Sequence, residues 1–236
     1  MVSGEPPERG WGGLFGRLGG RRPSDEGPAA PSAGPSHVST GTVYPTKALK
    51  KFLATLTSRA NPVLLDLGPV IGRNVSFFGE QLGCKIVVED LYADVDRHAA
   101  GGDERLASHL STRIAQADGS FDGILCWDLV DFLPPQAAQA LAVQLTRVLA
   151  VDGALLGFFS TAASRDTTFT KFVVEDEQTL RHRPFGASRA RSRVMQNRDI
   201  IKLFEGLRVS DSFLLQTHLR EILFRKPAYL SASSGR

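Results

Sequence analysis

Cysteine is scarce in this sequence, and long apolar runs are absent from it. Two of the 236 residues are cysteine, which excludes a disulfide framework and fits a reducing compartment. No apolar stretch reaches the length of about 18 residues that a membrane span needs, so we expect no span. The first residues show no charged start followed by an apolar segment, so a standard secretion signal is not expected. Together these absences predict a cytoplasmic protein.

Signals for metal or hydrolase chemistry are also missing. The five histidines show no paired spacing of the kind that binds a metal ion, so no metal site is expected. The nucleophile elbow G-x-S-x-G does not occur, which disfavours an acyl hydrolase. The net charge of +3 is a weak indication of a nucleic-acid partner. A hydrophobic content of 42% suffices for a sizeable core, and the length predicts one domain with extensions.

The first 45 residues differ from the rest of the chain. Seventeen of them are glycine or proline, and such a segment buries too little apolar surface to offset its ordering entropy. We therefore predict a disordered tail over 1–45, a folded domain over 46–228 and a short C-terminal tail over 229–236. A few apolar side chains in the first tail would suit a partner or membrane surface, although a glycine-rich tail without structure is the simpler interpretation; they are Trp11, Leu14, Phe15 and Leu18.

Within the predicted domain, apolar strand-like runs alternate with helical patterns. Buried strands are predicted at "PVLLDLG", at "CKIVVEDL", from Gly123 to Cys126 within "FDGILCWDLVDFL", and at "GALLGFFS"; two closing strands, expected to be antiparallel, are predicted at "RVSDSFLLQ" and "REILFRKP". In residues 92–118 a third strand is expected to be short or missing. The alternation predicts an α/β fold with a doubly wound, mostly parallel sheet. Ligands of such sheets bind beyond the carboxyl ends of the strands, at the topological switch point.

The loop "DLGPVIGRN" is the strongest candidate for a binding site. Gly68 follows the first buried strand and Gly72 stands at the helix entrance, so the backbone can approach a phosphate, a dinucleotide or the methionine end of S-adenosylmethionine. The phosphate-loop pattern fails, because Arg73-Asn74 replaces Lys-Ser/Thr. The dinucleotide pattern G-x-G-x-x-G fails too, because Val70 stands at its second glycine.

Two acids, Glu89 and Asp90, follow the next predicted strand. A carboxylate at such a strand end can accept both hydroxyls of a ribose. Because neighbouring residues of a strand face opposite sides, one of the two is expected to bind, and the register slightly favours Asp90.

Four segments together resemble class I S-adenosylmethionine-dependent methyltransferases. "LLDLGPVIG" resembles their first motif, with Asp66, Gly68 and Gly72 matching and Val70 replacing the middle glycine. "KIVVEDLYAD" resembles their acidic second strand, and "GSFDGILCWDLVDFLPP" their fourth strand with its loop. The segment from "NRDIIKLFEGL" to "REILFRKP" is similar to their closing helix and strand pair. The resemblance covers residues 46 to 228.

This resemblance implies a Rossmann-like sheet of seven strands whose last strand is antiparallel. It implies methyl transfer from the cofactor S-adenosylmethionine to an unidentified acceptor, with no catalytic residue singled out. The alternative is a catalytically inactive, methyltransferase-like binding or regulatory module. Asp66 either contacts the cofactor or caps nearby N–H groups. The residues implied to contact the cofactor are Asp66, Gly68, Pro69, Gly72, Glu89, Asp90, Cys126 and Trp127.

An arginine-rich segment, 161–195, interrupts the regular pattern, with a hairpin expected inside it. Between residues 164 and 226 there are thirteen Lys or Arg and eight Asp or Glu. This basic segment would attract an anionic substrate or a nucleic acid, or else is a solvated insertion. If the resemblance holds, the segment lies where a lid over the substrate would be.

Overall fold

A computed structural model of the chain describes residues 41–163, 167–191 and 194–228. The tail predictions for 1–40 and 229–236, including the four apolar side chains near Trp11, lie outside the described residues. In the described part the elements follow in this order: β1 (Thr42–Pro45), α1 (Leu49–Thr57), β2 (Val63–Asp66), α2 (Gly72–Val75), β3 (Lys85–Val88), α3 (Leu91–His98), α4 (Asp103–Thr112), β4 (Phe121–Trp127), α5 (Pro135–Val148), β5 (Leu149–Ser160), β6 (Thr168–Val174), β7 (Thr179–Gly186), α6 (Asn197–Leu203), β8 (Arg208–Leu214) and β9 (Leu219–Arg225). A π-helical turn extends α2 over Ser76–Gln81, and short 3₁₀ helices cover Ala99–Gly101 and Leu129–Phe132.

The main sheet has the strand order β3-β2-β4-β5-β9-β8. Strands β3, β2, β4 and β5 are parallel, and β9 is antiparallel to both of its neighbours. Helices connect the parallel strands, as long crossovers between parallel neighbours require. The prediction of a Rossmann-like α/β fold with an antiparallel last strand is therefore confirmed.

The strand count differs from the prediction, because this sheet has six strands instead of seven. The connection between β3 and β4 is described throughout and consists of α3, a 3₁₀ turn and α4, without a strand. The apolar residues of this connection recur at helical spacing, with Leu91 and Val95 buried in α3 and Leu106 and Leu110 buried in α4. That spacing buries one face of a helix, so the segment packs on the sheet without joining it.

A second, antiparallel sheet has the strand order β1-β7-β6. It contains the hairpin expected within 161–195, since β6 pairs with β7 from Thr168↔Gly186 to Val174↔Leu180. Strand β1 pairs with β7, so ordered structure begins before residue 46, where the tail was predicted to end. The segment "TVYP" is too short to show an alternation of apolar and polar residues. The strand with which it pairs lies about 140 residues away in the sequence.

The core lies on both faces of the main sheet, because successive strand residues point to opposite sides. Leu65, Ile124 and Leu155 belong to one buried cluster together with residues of α3, α4 and α5. Their neighbours Leu64, Leu125 and Leu156 belong to a second cluster together with residues of α1. The second sheet contributes to both clusters, so it covers the end of the main sheet. None of the helices described here is long and apolar enough to cross a bilayer.

Candidate functional site

The candidate site is the crevice at the carboxyl ends of β2 and β4. Strand β3 lies on one side of β2 and β4 lies on the other, so the strand order reverses at β2. This is the topological switch point, where open α/β sheets bind their ligands. The loop 67–71 follows β2, Glu89 follows β3, and Trp127 ends β4. Three of the sequence-predicted segments therefore meet at one place.

Asp66 connects the loops that follow β2 and β4. Its Oδ1 accepts hydrogen bonds from the backbone N–H of Gly68 at 2.9 Å and from the indole Nε1 of Trp127 at 2.6 Å. Burial raises the pKa of Asp66 to about 6, although both hydrogen bonds lower it, and the nearby charge of Asp90 raises it further. In this arrangement Asp66 has the capping role that was one of its two predicted roles.

Trp127 is held in a strained backbone conformation at the end of β4. Its φ is 51°, in the left-handed region that bulky side chains rarely adopt. The indole is 3% exposed and stacks on Phe172 of β6, with ring centroids 5.2 Å apart and planes 5° apart. Such strain persists where surrounding contacts enforce it, and it is concentrated at functional sites.

The two glycines of the loop after β2 lie in different surroundings. A Cβ added at Gly68 would be 2.9 Å from Trp127 Nε1, so the indole lies directly against this glycine. A Cβ added at Gly72 would meet nothing within 4 Å, so the loop is open there. The side chain of Val70 is 71% exposed, and Pro69 is half-buried. The loop is therefore closed at Gly68 by Trp127, and Val70 does not close it.

The two acids after β3 have separate partners. Glu89 forms an ion pair with Arg113 at 2.7 Å and accepts a hydrogen bond from Gln116 at 3.4 Å. Asp90 caps α3, where its Oδ1 accepts a hydrogen bond from Ala93 N at 3.1 Å. Asp90 is half-buried and close enough to Asp66 to affect its pKa, so it borders the crevice.

Cys126 lies in the hydrophobic core. The side chain is fully buried in the cluster that contains α5, whereas Trp127 belongs to the cluster on the opposite face. Burial raises the pKa of the thiol to about 12, and the nearby charges of Asp128 and Asp131 act in the same direction. The thiol is therefore neutral and packs as a small apolar group.

Strand β6 is fixed to the start of α2 by side-chain hydrogen bonds. Asn74 donates from Nδ2 to the carbonyl of Phe172 at 2.9 Å and accepts at Oδ1 from Val174 N at 2.8 Å. Arg73 donates from Nε to the carbonyl of Val174 and forms an ion pair with Glu175 at 2.8 Å. The "RN" pair, which replaced the lysine and serine of a phosphate loop, therefore contacts the second sheet.

A buried charged cluster lies next to the crevice. Arg191 donates to Asp128 and to Asp131, each at 3.0 Å, and Tyr92 donates its hydroxyl to Asp128 at 2.6 Å. Asp131 also accepts a hydrogen bond from Ser160 N at 2.8 Å. Burial raises the pKa of Asp131 to about 7, with the charge of Asp128 adding to the effect and Arg191 opposing it.

Sequence reasoning missed the members of this cluster that come from other segments. The dense arginines of 181–193 indicated positive charge, but the two carboxylate partners of Arg191 lie 60 and 63 residues earlier in the chain. Arg189 pairs with Asp103, which is 86 residues earlier, whereas Arg181 pairs with the nearby Glu175. Three arginines of the segment that suggested an anionic substrate or a nucleic acid are therefore paired with carboxylates of the chain itself.

A second opening is lined in part by Arg191, which also belongs to the charged cluster next to the crevice. A cavity of about 950 Å³ is lined by residues of β1, β6, β7 and the turn between β8 and β9. None of the eight residues predicted to contact a cofactor belongs to its lining. Among the described residues, no group of three or more His, Cys, Asp or Glu side chains is placed to hold a metal ion.

The chain is similar to solved structures only at low identity. A TehB-like S-adenosylmethionine-dependent methyltransferase from Corynebacterium glutamicum is 18% identical, with a TM-score of 0.46 over 75% of this chain and 87% of that one. The 1,6-didemethyltoxoflavin-N1-methyltransferase of Burkholderia thailandensis, solved with S-adenosylhomocysteine, is 16% identical, with a TM-score of 0.45 over 76% and 78%. The PH0226 protein of Pyrococcus horikoshii is 15% identical, with a TM-score of 0.46 over 76% and 88%.

No family model matches the chain, and no curated protein matches its sequence. The fold class therefore rests on the strand order and directions described above, which are those of a Rossmann-like sheet with one strand fewer than predicted.

Proposed function

We propose that this chain binds S-adenosylmethionine in the crevice between β2 and β4 and transfers its methyl group to an acceptor not yet identified. One observation carries the proposal. The Asp66–Gly72 loop, Asp90 and Trp127 come from three separate segments and border the switch point of a Rossmann-like sheet. The strained backbone of Trp127 supports a functional origin for this arrangement.

Each group has a defined part in this proposal. The backbone of Gly68, Pro69 and Gly72 would lie along the methionine portion of the cofactor. Asp90 would accept the ribose hydroxyls, because Glu89 is already held by Arg113. The cofactor would supply an electrophilic methyl group, so the protein's main task is to orient the acceptor towards it. Residues 46–228 would carry the activity, with the 161–195 segment as its cover.

The fit of a cofactor differs along the crevice. Gly72 is open and Asp90 is half-buried, so the ribose side leaves room for a ligand. At Gly68 the indole of Trp127 lies against the position that a Cβ would take, so a ligand that occupied this position would displace the indole. Displacement breaks the hydrogen bond to Asp66 and the stack on Phe172. Cofactor binding is therefore coupled to a movement of Trp127.

A second candidate function is a non-catalytic binding module that keeps the fold. It is favoured by the contacts that fix β6 over the crevice, namely the two hydrogen bonds of Asn74 and the stack of Phe172 on Trp127. In that case Asp66 and Trp127 hold two loops together and bind no ligand.

Calorimetric titration of the full chain with S-adenosylhomocysteine and S-adenosylmethionine separates the two candidates. The proposal predicts saturable binding in about the micromolar range, weakened about tenfold or more by Asp90→Ala. Glu80→Ala is the matched control, because Glu80 is an exposed carboxylate on the helical segment after the same loop, and it should leave the affinity unchanged. If no heat is released at millimolar ligand, or if both variants lose affinity equally, the result favours the non-catalytic module.

A further inference from the structure

The cavity of about 950 Å³ has the size of a small-molecule site. Its walls come from four separate parts of the chain: the β1 segment, the end of β5, the β6–β7 hairpin and the β8–β9 turn. Tyr44 and His182 form one side, with ring centroids 4.7 Å apart, and the side chains of Pro45, Pro184 and Leu219 add apolar surface. The walls therefore offer a flat organic ligand a partly aromatic surface.

The charge of the lining has one sign. Among the described lining residues there is no Asp or Glu, whereas Lys47, Arg191, His182 and His218 are basic. Burial lowers the pKa of His182 to about 4, so this imidazole is neutral at pH 7. Arg191 donates to Asp128 and Asp131, so its charge is largely offset by these carboxylates.

Lys47 is the cation that these contacts leave for a ligand. Its ammonium lies 5.9 Å from the ring centroid of Phe213, and within the described ranges no carboxylate forms an ion pair with it. The nearby carboxylate of Asp211 is held by Lys51, and the buried carboxylate of Glu221 accepts hydrogen bonds from the backbone N–H groups of Lys47 and Ala48.

An unpartnered hydroxyl also belongs to the lining. Thr217 Oγ1 is buried and has no hydrogen-bond partner among the residues that the structure describes. Buried polar groups in native proteins are nearly always paired, so this hydroxyl has a hydrogen bond left for a water molecule or a ligand oxygen. A ligand oxygen would complete this group, and Thr42, Thr168 and Thr170 bring further hydroxyls to the same cavity.

We infer that this cavity binds a small aromatic carboxylate, with its ring against Tyr44 and His182 and its negative charge towards Lys47. The aromatic wall, the uncompensated ammonium and the absence of carboxylates from the described lining all favour an anion of this kind and disfavour a cation. None of the residues predicted to contact the cofactor lines this cavity, so the inference does not depend on methyl transfer.

The test is calorimetric titration of the full chain, without cofactor, with 2-naphthoate and with 2-naphthylmethylammonium. These probes share one ring system and differ in the sign of their charge. We expect 2-naphthoate to bind about tenfold tighter than the ammonium probe, as one charge-assisted hydrogen bond would give. Lys47→Met should remove most of this preference.

Lys50→Met is the matched control, because Lys50 is an exposed lysine three residues away that does not line the cavity. It removes the same charge from the chain and should keep the preference for 2-naphthoate. Equal affinities for the two probes would overturn the inference. An equal loss of the preference for 2-naphthoate in Lys47→Met and Lys50→Met would overturn it too. These results are independent of the titration with S-adenosylhomocysteine, because that titration tests the crevice and not this cavity.

Discussion

The crevice at Gly68 and the cavity at Lys47 differ in their sequence motifs and in their free space, and each has the feature that the other lacks. The crevice carries the sequence motifs, but the indole of Trp127 lies against Gly68 and stacks on Phe172. The cavity carries no motif, yet it leaves about 950 Å³ between the second sheet and the β8–β9 turn. A motif therefore marks where a loop lies in the fold, whereas the space beside it depends on side chains from distant segments.

The same contrast applies to charge. Around the crevice Glu89 is matched by Arg113, and the charge of Arg191, which lines the cavity, is matched by Asp128 and Asp131. In the cavity Lys47 has no such partner among the described residues. The crevice is thus organised to hold its own parts together, while the cavity has interactions left for another molecule. Four substitutions sharpen or break this comparison.

The largest effect is expected from Phe172→Ala, which removes the ring that covers Trp127. The side chain is 2% exposed and also contacts Phe158 and His182, so its loss leaves a cavity in the core. We expect the free energy of unfolding to fall by roughly 3–5 kcal/mol in denaturant titrations. Val143→Ala, at an exposed position of α5, is the control. A loss below about 1 kcal/mol would mean that the second sheet is not packed on the crevice.

The next effect concerns pH and Asp131. Its pKa is raised to about 7 in the folded chain, so the folded state binds a proton more tightly than the unfolded state does. The resulting stabilisation is complete below pH 4 and is lost as the pH rises through about 7. Asp131→Asn should therefore flatten the fall in unfolding free energy between pH 5 and pH 8 by roughly 2–3 kcal/mol.

Asp118→Asn is the control for this pH dependence, because the Asp118 carboxylate is largely exposed. It should leave the pH profile of the unfolding free energy unchanged. If Asp131→Asn has a profile parallel to that of the unmodified chain, Asp131 is ionised in the fold at all these pH values, and the charged cluster at Arg191 carries a different net charge.

Asn74→Ala should have a smaller effect, confined to the contact between the loop and the second sheet. It leaves the carbonyl of Phe172 and the N–H of Val174 without their partner, which costs about 2 kcal/mol of unfolding free energy. Gln139→Ala, at an exposed position of α5, is a comparable amide removal without buried partners. Equal stabilities of the two variants would show that β6 is not held by Asn74.

Val70→Gly is expected to have the smallest effect, although it restores the glycine that the motif lacks. The side chain points into solvent, so its removal opens no space beside Gly68. We predict a change below about twofold in the affinity for S-adenosylhomocysteine and below about 1 kcal/mol in stability. A large gain in affinity would show that Val70, and not Trp127, closes the loop.

Much of the fold was predictable from periodicity alone. The uninterrupted apolar runs predicted β2 to β5. The spacing of Leu49, Phe52 and Leu56, which are buried in α1, is typical of a helix with one buried face. The seventh strand was an expectation from the family resemblance, and the helical spacing of Leu106 and Leu110 overrules it. Strand β1 escaped notice because four residues are too few to show a period.

The candidate site was predictable in position but not in shape. The Asp66–Gly68 loop and the acids after β3 follow from strand order, which local sequence indicates. The contacts of Trp127 with Phe172 and of Asp131 with Arg191 join segments 45 and 60 residues apart. Such pairings depend on the packing of the whole chain, so no local pattern reveals them.

The most direct test of the coupling between cofactor and Trp127 is tryptophan fluorescence in Trp11→Phe, which leaves Trp127 as the single tryptophan. Titration with S-adenosylhomocysteine should shift the emission of this buried indole saturably towards longer wavelength, with the same dissociation constant as calorimetry, because the ligand displaces it from Gly68. An emission spectrum that stays unchanged while heat is released would contradict the account, since the ligand would then bind without moving Trp127. If the titration gives no emission shift and no heat, the crevice binds no cofactor and only holds two loops of a non-catalytic module together.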